Sequence, residues 1–143
     1  MRGISVLTTI HYRWLAGLWT VAILVGFSLP AASLSPVSAV LSFDKAIHFG
    51  LFAVFGGLWM RGLCPPGVRD GWARLRRRGV QLFVAGGLFA GGSEVYQHLM
   101  PIRRMPDPYD ALANVTGLLV GILLSAGALA RFRARRSSAE EAS

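Results

Sequence analysis

The sequence contains one cysteine, one lysine and few charged residues of either sign. Cys64 is the single cysteine, so the chain forms no intrachain disulfide and no cysteine metal cluster. Only 15% of the 143 residues are charged, and fourteen of the fifteen positive residues are arginine. The formal net charge of +8 first suggests nucleic acid as a partner. The apolar content argues against that partner.

A chain of this length has room for one domain, and it cannot bury its apolar side chains in water. Hydrophobic residues make up 53% of the sequence, and the mean hydropathy is +0.49. A small soluble domain buries too little surface to cover that many apolar groups. The composition therefore indicates a membrane protein with no nucleic-acid partner.

Four apolar stretches reach or approach the roughly 20 residues that a helix needs to cross a hydrocarbon core. Because a helix satisfies its own backbone groups, we predict an all-α membrane protein, a compact bundle of four transmembrane helices within residues 14–130. Residues 1–13 are predicted to form a cytoplasmic segment, and residues 131–143 a disordered tail that is basic and then polar. The predicted spans are 14–34, 46–63, 80–100 and 111–130.

The positive residues predict the orientation of the spans, because Lys and Arg near helix ends are retained in the cytoplasm. Twelve of the fifteen lie before the first span, at the end of the second, between the second and third, or after the fourth. Lys45, Arg103 and Arg104 fall on the other side. Both termini are therefore predicted to be cytoplasmic. A second interpretation of the first span stays open, since Arg13 followed by an apolar run and small residues is also typical of a cleaved secretory signal.

Polar side chains that are costly in lipid gather at one end of the predicted spans. Residues three or four apart share a helix face, so we expect them to converge on an outward-open pocket in the outer leaflet. The candidate ligand-binding residues are Asp44, Lys45, His48, Glu94, Gln97, Arg103, Arg104, Asp110 and Asn114. Their spacing fits no metal-binding motif, and we predict neither a metal nor a cofactor.

Structural roles remain open for several of these residues. Asp44 and Asp110 are suited to cap the second and fourth helices, while His48 and Asn114 are suited to hydrogen bonds between helices. Glu94 is the hardest to explain in this way, because a carboxylate inside a span needs a cation, a donor or a proton.

Glycines four residues apart predict close contact between helices, because small residues let two backbones approach. Gly87 with Gly91 in the third span and Gly117 with Gly121 in the fourth have this spacing. The second pair continues the polar stripe that starts at Asp110, so we expect that face of the fourth helix to press against a neighbour.

The polar residues resemble the pattern of the VanZ-like family of small bacterial membrane proteins. The run DKAIHF at residues 44–49 matches the Asp-Lys and His-Phe at the head of one family helix. The other matches are Glu94, Gln97, Pro101, Asp110, Asn114 and Gly117. The resemblance covers about residues 44–121. It departs in one loop, where counting from one side selects Arg103 as the family arginine and counting from the other selects Arg104.

The resemblance implies a four-helix, multi-pass protein of the bacterial inner membrane with a link to glycopeptide (teicoplanin) resistance or to envelope lipids. It implies no particular reaction. Membrane lipids are the partners that we expect on this basis, and the oligomeric state is left open.

Three functions stay open from the sequence. In the first, the pocket binds an anionic head group of an envelope lipid or a lipid-linked cell-wall precursor through Lys45, Arg103 and Arg104. In the second, the protein is an enzyme that acts on a lipid-linked substrate with Glu94 or His48 as general acid or base. In the third, the polar groups only fix the packing of a membrane scaffold.

Overall fold

The computed structural model describes residues 2–28, 41–64, 71–99 and 107–141. These residues form four helices and no strand, which confirms the predicted all-α bundle. Helix α1 covers Arg2–Ser28, α2 covers Leu41–Leu63, α3 covers Trp72–Leu99 and α4 covers Pro108–Glu141.

Three of these helices are long and apolar enough to cross a membrane: α1 over Thr9–Ser28, α2 over Asp44–Leu63 and α4 over Pro108–Ala139. Helix α3 contains the remaining predicted span but is less apolar, because glycines, Glu94 and Gln97 interrupt its apolar run. That α3 also crosses the membrane stays a prediction.

The outside of the bundle is apolar on several helices. Trp14 on α1 is 72% exposed, Leu88 on α3 is 74% exposed and Leu124 on α4 is 70% exposed. Large apolar patches of this kind are uncommon on soluble monomers and mark a surface that contacts lipid or protein. The surface thus agrees with the membrane character that the composition indicates.

Two helices extend well beyond their predicted spans. Helix α1 begins at Arg2, so most of the segment predicted for residues 1–13 is helical. Helix α4 continues to Glu141, which corrects the disordered tail predicted for residues 131–143 over its described part. Alanine, arginine and glutamate are strong helix formers, and neither proline nor glycine follows Gly127 to end the helix.

The helices alternate in direction along the chain. Lys45 lies beside Asp110 at the start of α2 and α4, and Ser125 donates to the Gly57 carbonyl further along both helices, so these two run parallel. Helices α1 and α3 run the opposite way. Both chain ends therefore lie at one end of the bundle, while the cytoplasmic location of that end stays a prediction.

We call the two ends of the bundle the polar end and the basic end. The polar end comprises the first turns of α2 and α4 and the last turns of α3, including residues 44–48, 94–97 and 107–114. The basic end comprises the opposite ends of these helices and the start of α1, with Arg13, Arg61 and their neighbours.

Gly117 and Gly121 on α4 lie directly against the backbone of α2. A Cβ atom on Gly117 would overlap the carbonyl of Phe49, and one on Gly121 would overlap the carbonyl of Ala53. The predicted close contact is confirmed for this pair. It brings α2 and α4, which are separated by a whole helix in sequence, into the tightest packing of the fold.

The predicted contact is wrong for the other pair, Gly87 and Gly91. A Cβ atom at either position would meet nothing within 4 Å. The glycine of α3 that approaches α4 most closely is Gly86, where a Cβ would lie 2.8 Å from a side-chain carbon of Leu118. The difference is one position along the helix, which turns the face by roughly 100°.

Helix α1 packs on α2 through side-chain hydrogen bonds. Trp19 Nε1 donates to the Leu51 carbonyl at 2.9 Å, and Arg13 Nε donates to the Gly62 carbonyl at 3.1 Å. These contacts make α1 an integral part of the bundle described here. Cleavage of this segment as a secretory signal stays an untested alternative.

Candidate functional site

A chain of hydrogen bonds crosses the polar end and joins three helices. Asn114 Nδ2 on α4 donates to Glu94 Oε1 on α3 at 3.1 Å. Asn114 Oδ1 lies 3.1 Å from His48 Nδ1 on α2. Asn114 is completely buried and His48 is 3% exposed. A single asparagine thereby links α2 to α3 inside the bundle.

The orientation of the Asn114 amide determines which nitrogen of His48 carries a hydrogen. Because the amide nitrogen donates to Glu94, the amide oxygen faces the imidazole and can only accept. Nδ1 of His48 therefore donates, and in the neutral ring Nε2 keeps a lone pair. Nε2 faces Asp44, whose Oδ1 lies 4.0 Å away.

Aromatic rings hold the imidazole in place. The ring of His48 stacks on Phe27 of α1 with centroids 5.2 Å apart. Beyond it, toward the middle of the bundle, rings pack in a continuous cluster that includes Phe27, Phe52, Phe55 and Phe89. The polar chain is therefore bounded on this side by apolar surface, and rotation of the histidine is restricted.

A second group of charges lies at the rim. Lys45 Nζ is 2.8 Å from Asp107 Oδ2 and 3.6 Å from Asp110 Oδ1. The Lys45 hydrogen bond, and then a hydrogen bond from the Tyr109 backbone N–H, hold the pKa of Asp107 below its ordinary value of 3.8. Asp107 is thus ionised at neutral pH and anchors the only lysine of the chain.

Asp107 is a site residue that the sequence analysis missed. It caps α4, since its Oδ1 accepts from the Tyr109 N–H at 2.9 Å. Asp110 is the third residue of α4, and Asp44 is the fourth residue of α2, which begins at Leu41, so both lie within the first helical turn. The predicted capping roles of Asp44 and Asp110 are therefore wrong. The sequence carried a signal for the correct cap, because proline favours the first helical position after a capping aspartate, as in Asp107-Pro108.

Three side chains at this end offer a set of metal-ligand atoms. One oxygen each of Asp44 and Asp110 and one nitrogen of His48 all lie within 4.8 Å of one another. Asp110 Oδ1 is buried and accepts no hydrogen bond from the described residues. The set combines one turn of α2 with one turn of α4, so its spacing along the chain matches no motif.

Six of the nine candidate residues meet at the polar end: Asp44, Lys45, His48, Glu94, Asp110 and Asn114. Gln97 belongs to α3, but its side chain lies outside the described part of the structure, and Arg103 and Arg104 lie outside the described residues altogether. The sequence left a cation, a donor or a proton open as the partner of Glu94, and the Asn114 amide is a donor to it. The ammonium of Lys45 lies beside Asp107 and Asp110. Binding of a ligand by these residues stays a prediction.

Fold and site together define a helical protein of membrane-spanning character with a buried polar network at one end. No protein-family model matches the chain, and the curated proteins and the solved structures contain no significant match. The function must therefore be argued from the site itself.

Proposed function

We propose that this chain is a multi-pass protein of the bacterial inner membrane, of the VanZ-like type, whose polar end faces outward and binds an anionic head group. The head group belongs to an envelope lipid or to a lipid-linked cell-wall precursor. Through the resemblance alone, the proposal extends to a role in glycopeptide resistance.

The position of Lys45 is the observation that carries the proposal. Its side chain is 35% exposed at the rim of the polar end, and an ammonium has three N–H donors. Asp107 and Asp110 face two of them, which leaves a third for a phosphate or carboxylate oxygen. Charge-assisted hydrogen bonds of this kind are the strong ones in head-group recognition.

An anionic ligand at the polar end requires more positive charge than Lys45 alone supplies. Among the described side chains there, Lys45 is accompanied by four acidic residues, Asp44, Glu94, Asp107 and Asp110. Arg103 and Arg104 precede Asp107 by four and three residues in the sequence. We assign to these two arginines the direct contacts to the head group, and to Asp107 the positioning of Lys45.

The buried network favours a second candidate, a structural scaffold. Asn114 joins α2 and α3 without any ligand, which is what a packing role requires. The two candidate functions differ in whether they require the residues at the rim of the polar end. A scaffold uses the buried chain alone, whereas a head-group site also needs Lys45 and the two arginines.

Lipid retention tests the proposal. Purified protein in mixed micelles of neutral detergent with equal phosphatidylglycerol and phosphatidylcholine is analysed by native mass spectrometry. For Lys45→Gln combined with Arg103→Gln and Arg104→Gln, we expect the preference for phosphatidylglycerol to fall about tenfold, equivalent to roughly 1.4 kcal/mol. The matched control, Arg131→Gln with Arg135→Gln, removes two exposed arginines from the far part of α4.

The control is expected to keep the preference within about twofold, because general attraction to anionic lipid is distributed over many arginines at the basic end. Equal loss of the preference for phosphatidylglycerol in both variants, or no loss in the variant with three substitutions, would contradict the proposal. An unchanged preference with an unchanged melting temperature would favour the scaffold.

A further inference from the structure

We propose that Asp44, His48 and Asp110 bind one divalent transition-metal ion at the polar end. The inference rests on the proposed function for the location of the site and adds a partner that the head-group proposal does not require. The three ligand atoms come from α2 and α4, the two helices that pack most closely.

The orientation of His48 points to a cation. Its buried ring faces the Asn114 amide oxygen with Nδ1, so in the neutral ring the lone pair on Nε2 faces the carboxylate of Asp44, whose Oδ1 is 4.0 Å away and beyond hydrogen-bond distance. A lone pair and a carboxylate repel each other unless a positive charge lies between them. Histidines that ligate metals are held in this way, with the other ring nitrogen donating to an oxygen.

Asp110 supplies the second independent feature. Its Oδ1 is buried and accepts no hydrogen bond from the described residues. Asp110 Oδ1 forms an ion pair with Lys45, whose Nζ lies 3.6 Å away and donates its hydrogen bond at 2.8 Å to Asp107. Asp107 thus holds the ammonium to one side, and the Asp110 oxygen faces the same space as Asp44 and His48.

The charge and size of the group suit a divalent ion. Among the described side chains at the rim, the three carboxyl groups of Asp44, Asp107 and Asp110 face a single ammonium, that of Lys45. Zinc bonds of about 2.0–2.2 Å in a tetrahedral site place ligand atoms about 3.3–3.6 Å apart. The present separations of up to 4.8 Å therefore close with side-chain shifts of less than about an ångström.

The ligand types indicate which ions fit. One imidazole with two carboxylates is a donor set for Zn²⁺ or Mn²⁺, whereas Mg²⁺ and Ca²⁺ prefer oxygen alone. Three protein ligands leave coordination positions open. An anionic oxygen of a head group could occupy one of them, which would connect the metal to the proposed function.

Metal binding by the full chain tests the inference. The protein carries a tag without histidine and is kept in neutral detergent without anionic lipid. Zn²⁺ and Mn²⁺ are titrated separately, and bound metal is measured by equilibrium dialysis with elemental mass spectrometry. We expect one ion per chain for at least one of the two metals, and a dissociation constant raised about tenfold or more in Asp44→Asn and in Asp110→Asn.

Two control variants remove the same residue types elsewhere: His11→Gln in α1 and Glu140→Gln at the end of α4. Both are expected to bind as the parent protein does. Asp44→Asn is the decisive variant, because the Asp44 side chain is 46% exposed and its replacement leaves the buried network in place. Its melting temperature without metal is measured to confirm folding.

Three results would overturn the inference: no saturable binding of either ion, equal affinity in Asp44→Asn, or loss in a control variant. A proton on Nε2 of His48 would then remain as the charge between the ring and Asp44. Lipid retention is measured in parallel with a chelator present. Retention of phosphatidylglycerol without metal binding leaves the proposed function standing, so the two failures are distinguishable.

Discussion

At the scale of single residues, Asn114 organises the site. Its amide has one donor side and one acceptor side, and both are used inside the bundle, toward Glu94 and His48. The arrangement orients His48, for which the sequence predicted either a hydrogen bond between helices or a part in the site. It also shows why a carboxylate is tolerated at Glu94, since a buried acceptor with a donor costs far less than one without.

Glu94 gives a prediction at this scale. In Glu94→Gln, the side-chain oxygen can still accept from Asn114, so we expect a melting temperature close to that of the parent protein. In Glu94→Leu, the Asn114 amide loses its acceptor, and stability is expected to fall by about 1–3 kcal/mol. Thermal unfolding in detergent, followed by circular dichroism, measures both.

The pair of variants separates hydrogen bonding from charge. A Glu94→Gln protein that melts as early as Glu94→Leu would show that the negative charge, and not the accepted hydrogen bond, is what α3 contributes. Unchanged stability in Glu94→Leu would contradict the role assigned here to the Asn114 amide.

At the scale of elements, the first half of α4 is one continuous contact with α2. Asp110, Asn114, Gly117 and Gly121 follow each other at intervals of three or four residues on the face that meets α2. The polar residues and the glycines depend on each other. The close approach at the glycines sets the distance at which Asn114 reaches His48, and thereby the geometry of the site.

We predict that Gly117→Ala destabilises the bundle. The added Cβ would meet the Phe49 backbone, which cannot turn aside as a side chain can, so α4 must move away at a cost of about 1–3 kcal/mol. Gly87→Ala is the matched control in α3, where a Cβ meets nothing within 4 Å. There the substitution should stabilise the helix by about 0.5–1 kcal/mol.

Melting temperatures in the same detergent test whether Gly117→Ala lowers the stability and Gly87→Ala raises it. Equal destabilisation by both substitutions would mean that α3 and α4 do not pack with the faces described here. A neutral Gly117→Ala would show that the contact between α2 and α4 is looser than the structure has it.

At the scale of the whole molecule, the bundle separates two kinds of charge. Among the described residues, Lys45, His48 and the carboxyl groups around them lie at the polar end, while Arg13, Arg61 and the arginines at the start of α3 and in the last part of α4 lie at the basic end. Since arginine near helix ends is retained in the cytoplasm, this separation predicts an outward orientation of the site.

We predict that the basic end is cytoplasmic. Ser137 is exposed near the end of α4, and Ser137→Cys in a Cys64→Ala background should resist an impermeant maleimide in intact spheroplasts. Labelling is expected only after the membrane is permeabilised. Ser35→Cys, in the connection between α1 and α2, is the control and should be labelled without permeabilisation. The reverse labelling pattern would show that the basic end lies outside the cell and that the site faces the cytoplasm.

The sequence by itself determined the helical class, three of the four predicted apolar spans and the end of the bundle at which the costly polar residues gather. These properties are local. The solvent that a segment prefers depends on its own composition, and a helix satisfies its backbone within its own length. The sequence determined the ends of the helices less well, as in α4. The length of an apolar run reflects the thickness of the bilayer, whereas the helix can continue beyond that run.

Only the tertiary structure decided which partners meet. Whether Gly86 or Gly87 faces the interior depends on a rotation of about 100° per residue, and that rotation is set by the packing of helices far apart in the sequence. The same holds for Asp107, which caps its own helix and also holds Lys45 from α2. The pattern along the chain predicted that polar residues gather at one end of the bundle. It could not show that ligand atoms of Asp44, His48 and Asp110 lie within 4.8 Å of one another, because that distance depends on how α2 and α4 pack.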